Sequence, residues 1–195
     1  MCVGGNCPES EHPLTASAES SDTLLKSAEA EQLYRQALQK NASLLPARHN
    51  LALLLDGQKD RAKEAVDLWR ENLRQSPDYL PSRLSLAGAL AAQGDNAGAV
   101  EEYHKVLDAK PDYVGARIAL ADVLAKTNDR DGALDQLHQV TQQDSQDPEL
   151  FERIGDLEAA RQRPADARTA YQAALNLKPA RPIRKRIDDK LKQLK

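Results

Sequence analysis

Four alanines, Ala65, Ala99, Ala133 and Ala167, recur at one constant interval, and a large residue follows each one four positions later: Trp69, Tyr103, Leu137 and Tyr171. A four-residue step is about one helical turn, so each pair lies on one helix face, bulky beside small, as close helix packing requires. Self-similarity at a fixed period in this range means stacked supersecondary units, each burying its apolar face against the next. Pro77, Pro111 and Pro179 keep the same register, with Ser145 in the vacant slot. A proline cannot continue a helix, so each one marks a helix end. The period alone therefore predicts an all-α solenoid.

A small-to-large, helix-turn-helix unit that closes on proline and repeats at this interval, about 34 residues, resembles the tetratricopeptide repeat. In the clearest unit the family's landmarks fall on Leu86, Ala87, Leu90, Gly94, Ala99, Tyr103 and Pro111. The next unit matches at Leu120, Ala121, Leu124, Ala133 and Leu137, and the last at Phe151, Ile154, Gly155, Ala167, Tyr171, Ala174 and Pro179. The first matches at Leu51, Ala52, Leu55, Ala65, Trp69 and Pro77, with one extra residue placed in the turn around Asp56 to Lys63. The resemblance implies a right-handed superhelix of antiparallel helix pairs. Its expected parts are a flexible tail over 1–20, a half repeat over 21–44, repeats at 45–79, 80–113, 114–147 and 148–181, and a capping helix over 182–195.

Composition agrees. A chain of 195 residues that is 41% hydrophobic but only 4% aromatic builds its core from Leu, Ala and Val, which suffices for stacked helices. The longest apolar run, Leu51 to Leu55, is far short of the ~20 residues that span a bilayer. No transmembrane segment is expected, and the compartment is left open between cytoplasm and periplasm. A net charge of −3 with interspersed signs gives no basic footprint, so nucleic-acid binding is not expected.

Along the chain, structure is expected to begin near Ser21, with Leu24, Leu25, Ala30, Leu33, Tyr34, Ala37 and Leu38 on one amphipathic helix. Helices are predicted at 46–57, 62–75, 81–93, 97–109, 115–126, 131–143, 148–161 and 165–177. After Pro182, Ile183, Ile187, Leu191 and Leu194 form one apolar stripe, and Arg184, Lys185, Arg186, Lys190, Lys192 and Lys195 cover the rest. This reads as a cap over the last repeat's exposed apolar face. A basic amphipathic helix for a membrane surface or an acidic partner is the rival reading.

Function has to come from the surfaces that stacking leaves open. In the family, the first helix of each pair lines the concave groove. The expected partner-binding residues there are His49, Leu53, Leu84, Gly88, Ile118, Asp122, Glu152 and Asp156. The middle of this face is small and apolar and its C-terminal end is acidic, which suits a protein or peptide segment whose basic portion points toward Asp122, Glu152 and Asp156. The clamp by which some members hold the C-terminal carboxylate of chaperones needs five Lys, Asn and Arg positions. The first three full units match none of them, with His49, Leu53, Ser85, Gly115 and Ala119 in the slots. Arg48, Arg83 and Arg117 fall in register, and pairing with nearby acids such as Asp78 and Asp112 is the simpler account than an anion ladder.

No catalytic constellation stands out, and no metal site or cofactor is expected. His104 and His138 sit at equivalent positions but lack a third ligand. The segment holding Cys2, Cys7 and His12 admits three readings: a bystander, a metal or redox tail, or a bacterial lipoprotein start with Cys2 as its lipidated residue, tethering an assembly factor. The oligomeric state is left open. The expectation is thus a non-catalytic scaffold that captures a partner segment in its groove.

Overall fold

The computed structural model describes residues 13–58, 60–143 and 146–194. Ser145 and the Cys2, Cys7 and His12 tail lie outside the described residues. Every described element is a helix: α1 (Pro13–Lys40), α2 (Leu45–Asp56), α3 (Ala62–Gln75), α4 (Leu80–Gln93), α5 (Asn96–Ala109), α6 (Val114–Lys126), α7 (Arg130–Thr141), α8 (Pro148–Ala160), α9 (Pro164–Asn176) and α10 (Arg181–Gln193). The chain forms two compact units, one through Leu68 and one from Trp69 onward.

The local chemistry explains the punctuation. Prolines open α2, α4, α8, α9 and α10 in their first turn, where an absent N–H costs nothing. Pro77, Pro111 and Pro179 sit in the connections just after α3, α5 and α9. Asp95 and Asp129, one repeat interval apart, cap α5 and α7 by accepting from the Gly98 and Gly132 amides at 3.0 and 2.9 Å. A Cβ on either glycine would meet the capping carboxylate at 2.7 or 2.6 Å, so in this geometry the carboxylate sits where a larger residue would make it shift. Gly94 ends α4 in the left-handed region, φ 83°, which glycine adopts without strain. Residues 57–61 separate α2 from α3, against only 94–95 between α4 and α5, and this longer turn accommodates the extra residue.

Two sequence expectations need correction. Helix α1 starts at Pro13, not near Ser21. Ala, Ser and Glu in that stretch tolerate helix well, and a helix can extend past the end of an apolar stripe when nothing breaks it. Leu33 is 64% exposed, whereas Ala30, Tyr34, Ala37 and Leu38 are half-buried. Those four follow a three- and four-residue spacing, and Leu33 falls off their face.

In the unit through Leu68, α1 packs on α2, and Leu51, Ala52, Leu55, Ala65 and Val66 are buried. Arg61 bonds both Glu31 and Glu64, and Arg35 bonds the same two carboxylates. In the unit from Trp69, α4–α5, α6–α7 and α8–α9 are the closely packed pairs. The four alanines of the repeat register are fully buried, and their large partners are at most 5% exposed. Asn72 and Ser82, both fully buried, satisfy each other through an Nδ2–H to Oγ hydrogen bond of 2.8 Å.

Candidate partner-binding face

The first helices of the second unit stand side by side. Helix α4 touches α6, Arg153 on α8 reaches Asp122 on α6 at 2.5 Å, and α10 contacts α8. Two rows cross these helices at the repeat spacing: Leu84, Ile118, Glu152 and Arg186, and one turn further Gly88, Asp122, Asp156 and Lys190. Residues four apart share a helix face, so both rows belong to one surface. Its chemistry changes in steps, from apolar and small on α4, through Ile118 and Asp122 on α6, to two carboxylates on α8 and two cations on α10.

At the α4 end, Leu84, Ser85, Gly88 and Ala91 are half-buried and Ala92 is exposed. Exposed Gly115 and half-buried Ala119 continue that floor on α6. Ile118 is half-buried and packs against the cluster of Ala133, Leu134, Leu137 and Leu150, so it offers only part of its side chain outward. No side chain larger than leucine rises from these positions. A surface of this kind lets a partner backbone approach closely.

The α8 end differs from the open acidic surface expected. Glu152 is 3% exposed, lying beneath α10. Arg186 grips it with two N–H donors at 2.7 and 2.6 Å, and Lys190 donates to it at 2.7 Å. Lys190 also bridges to Asp156 at 2.7 Å, and Asp156 accepts the Tyr171 hydroxyl at 2.7 Å. Arg186 reaches Glu149 at 3.4 Å. The carboxylates assigned to a partner's basic portion are therefore paired within the chain: Asp122 with α8, and Glu152 and Asp156 with α10. The cap and acidic-partner readings of α10 coincide, because its acidic partner is α8.

The titrations follow from this geometry. The Arg186 hydrogen bond, opposed by burial and helped by Lys190, holds Glu152 below the usual carboxylate range. Burial pulls the Lys190 ammonium down, but its bonds to Asp156 and Glu152 outweigh that, and the net shift is upward. Burial and the bond to Asp156 push the Tyr171 phenol well above its ordinary value. Tyr103 is raised by burial and then by the Asp122 charge. These groups all keep their usual charge near neutral pH. They form a structural network, with no group poised for proton transfer.

In the other unit, His49 is half-buried and desolvation lowers its pKa, while Leu53 is exposed on α2. The arginine series has partners other than the acids expected. Arg48, Arg83 and Arg117 each donate to a carbonyl six residues back, on Ala42, Pro77 and Pro111, and so tie the inter-repeat turn to the following helix. Arg83 also pairs with Glu102 at 2.5 Å, and Arg117 bonds Gln136 at 3.0 Å. Backbone carbonyls carry no sequence signature, which is why charge spacing pointed to Asp78 and Asp112 instead. Among the described residues, no three His, Cys, Asp or Glu side chains group as a metal site, and no helix is long and apolar enough to cross a membrane.

Residues 21–195 match the family model described as a tetratricopeptide repeat-like domain. No curated protein matches the chain. Among solved structures, a crystal structure of MamA protein superposes with a TM-score of 0.73 at 12% identity, covering 82% of this chain and 86% of that one. YrrB, described as a TPR protein with an unusual peptide-binding site, gives 0.70 at 21% identity, with 85% of each chain covered. MamA 41-end from Desulfovibrio magneticus RS-1 gives 0.58 at 22% identity, covering 76% and 75%. At these identities the likeness concerns the fold.

Proposed function

The chain belongs to the tetratricopeptide repeat-like domain family, and from that premise we propose that it is a non-catalytic scaffold that captures a segment of a partner protein on its first-helix face. The observation that carries this reading is the low floor around Gly88, where Ser85, Ala91, Ala92, Gly115 and Ala119 leave α4 and α6 without protruding side chains. Leu84 and Ile118 supply apolar contact beside it, and the Asp122–Arg153 pair closes it on the α8 side. A preformed surface on stacked helices does not have to be ordered on binding, so the scaffold itself adds little to the entropic cost. YrrB, which shares the fold, is described as having a peptide-binding site, which supports a peptide or protein segment as the kind of partner.

The test is Gly88→Arg. A Cβ at Gly88 would lie 3.7 Å from the Tyr103 hydroxyl, an ordinary contact, so the helix accepts a side chain there while the long arginine fills the floor. Affinity capture from source-cell lysate with quantitative mass spectrometry is expected to recover a partner with the native chain and lose it with Gly88→Arg at equal helicity. If the same partners bind both proteins, α4 and α6 are not the recognition surface.

A further inference from the structure

Helix α10 is held differently from the helices it follows. Ile187 is its one fully buried side chain, packed against Ala167, Tyr171 and Ala174, while Ile183, Leu191 and Leu194 are half-buried. Ile183, Leu191 and Leu194 pack against the same cluster, and the polar part of the attachment is ionic, through Arg186 and Lys190 to Glu149, Glu152 and Asp156. Beside its C-terminal end lies an open pocket of about 640 Å³, lined by Ala159, Gln162, Pro164, Tyr171, Gln193 and Leu194 among others. Its outer side carries Arg184, Lys185, Asp189 and Lys192, all exposed. The contact also has the register of a continuing repeat. Arg186 and Lys190 follow Glu152 and Asp156 by the same interval that separates the register alanines, so α10 sits where the first helix of another repeat would sit.

We propose that α10 is a detachable strap. Its release leaves the preceding repeats folded, uncovers buried Glu152 and frees the exposed Glu149 and Asp156 from their ion pairs, and the three carboxylates become a seat for a basic amphipathic helix of another protein. The chemistry of that helix is read from the strap itself: two cations four residues apart, with an apolar side chain next to the first, as in Arg186, Ile187 and Lys190. The pairs of exposed Glu149 and Asp156 weaken with ionic strength, those of buried Glu152 weaken less, and the apolar packing of α4 to α7 does not, so salt loosens the strap before the repeats. This inference is independent of recognition at α4 and α6.

Two measurements on the full chain test it. Hydrogen-exchange mass spectrometry is run between about 0.1 M and about 1 M NaCl, where the Debye length falls from ~10 to ~3 Å. The α10 amides are expected to lose protection by about tenfold while α4–α7 keep theirs. Exchange of α10 in step with α8 and α9 at both salt levels would overturn the strap. In the second, the full chain carries Arg186→Glu and Lys190→Glu, which set like charges against Glu152 and Asp156 and expel the cis helix. A labelled peptide with the sequence of residues 181–193 is then added. It is expected to bind this variant at least about tenfold tighter than the native chain, and Glu152→Gln in the same background is expected to abolish binding. No preference for the loosened chain, or unfolding of α4–α7 in it, means that α10 is an integral part of the repeat stack and defeats the proposal.

Discussion

Substituting Gly155 by alanine sets helix propensity directly against packing. A Cβ built on Gly155 of α8 would lie 2.5 Å from Cδ1 and 2.9 Å from Cζ of Tyr171, and in contact with Cε1 as well. Tyr171 is 2% exposed and cannot swing into solvent. Overpacking of this kind costs about 1–3 kcal/mol. Moving the ring also strains the 2.7 Å bond from its hydroxyl to Asp156, and a hydrogen bond to a charged group contributes about 1.5–3 kcal/mol. Alanine in a helix interior returns only about 1 kcal/mol over glycine. The equivalent places in the two preceding repeats hold the buried alanines Ala87 and Ala121, so the fold can partly relax around a methyl group there. The balance is a net loss of about 1–3 kcal/mol, or a fall in Tm of roughly 2–12 °C for a chain of this size. Gly88→Ala is the control: its Cβ would have 3.7 Å to the nearest atom, so propensity wins, with a gain of about 0.5–1 kcal/mol. Thermal melts followed by circular dichroism compare the two. Hydrogen exchange in α8 and α9 localises the effect, since repeat arrays can unfold in parts. A Gly155→Ala protein as stable as the native chain would refute the packing argument.

Arg83→Lys keeps the charge but removes the fork that reaches both Glu102 and the Pro77 carbonyl, so a loss of about 1–2 kcal/mol is expected in urea unfolding; an unchanged midpoint would show that this turn clamp contributes nothing. For pH, Glu152 titrates below its unfolded value because of Arg186. Its contribution is therefore fully present above the ordinary carboxylate value of ~4.3 and is lost as pH falls through the depressed folded value. A carboxyl-carbon NMR titration is expected to place its midpoint below that of an unfolded peptide and to move it upward in Arg186→Gln. A midpoint at the peptide value in the native chain would contradict the buried pairing.

The alanine register determined the all-α repeat architecture. It also placed α2 to α9 within one or two residues, because helix faces and stops are local properties of spacing and proline. Reading the same register one step further would also have paired Glu152 with Arg186 and Asp156 with Lys190. Treating residues 182–195 as a cap outside the repeat hid that. The small floor of Leu84 and Gly88 was legible in the same way, since lateral neighbours in a solenoid share a repeat position. Other features had no sequence signal. The arginines clamp backbone carbonyls, which every residue carries. The Tyr171 ring against Gly155 depends on how closely α8 and α9 approach. Whether a carboxylate faces water or a cation far along the chain is fixed only when the first helices align side by side. The sequence specifies periodic, short-range choices because each is made within one helical turn. Charge partners and contact distances were decided by the tertiary structure, because they depend on the lateral packing of helices that are not neighbours in the chain.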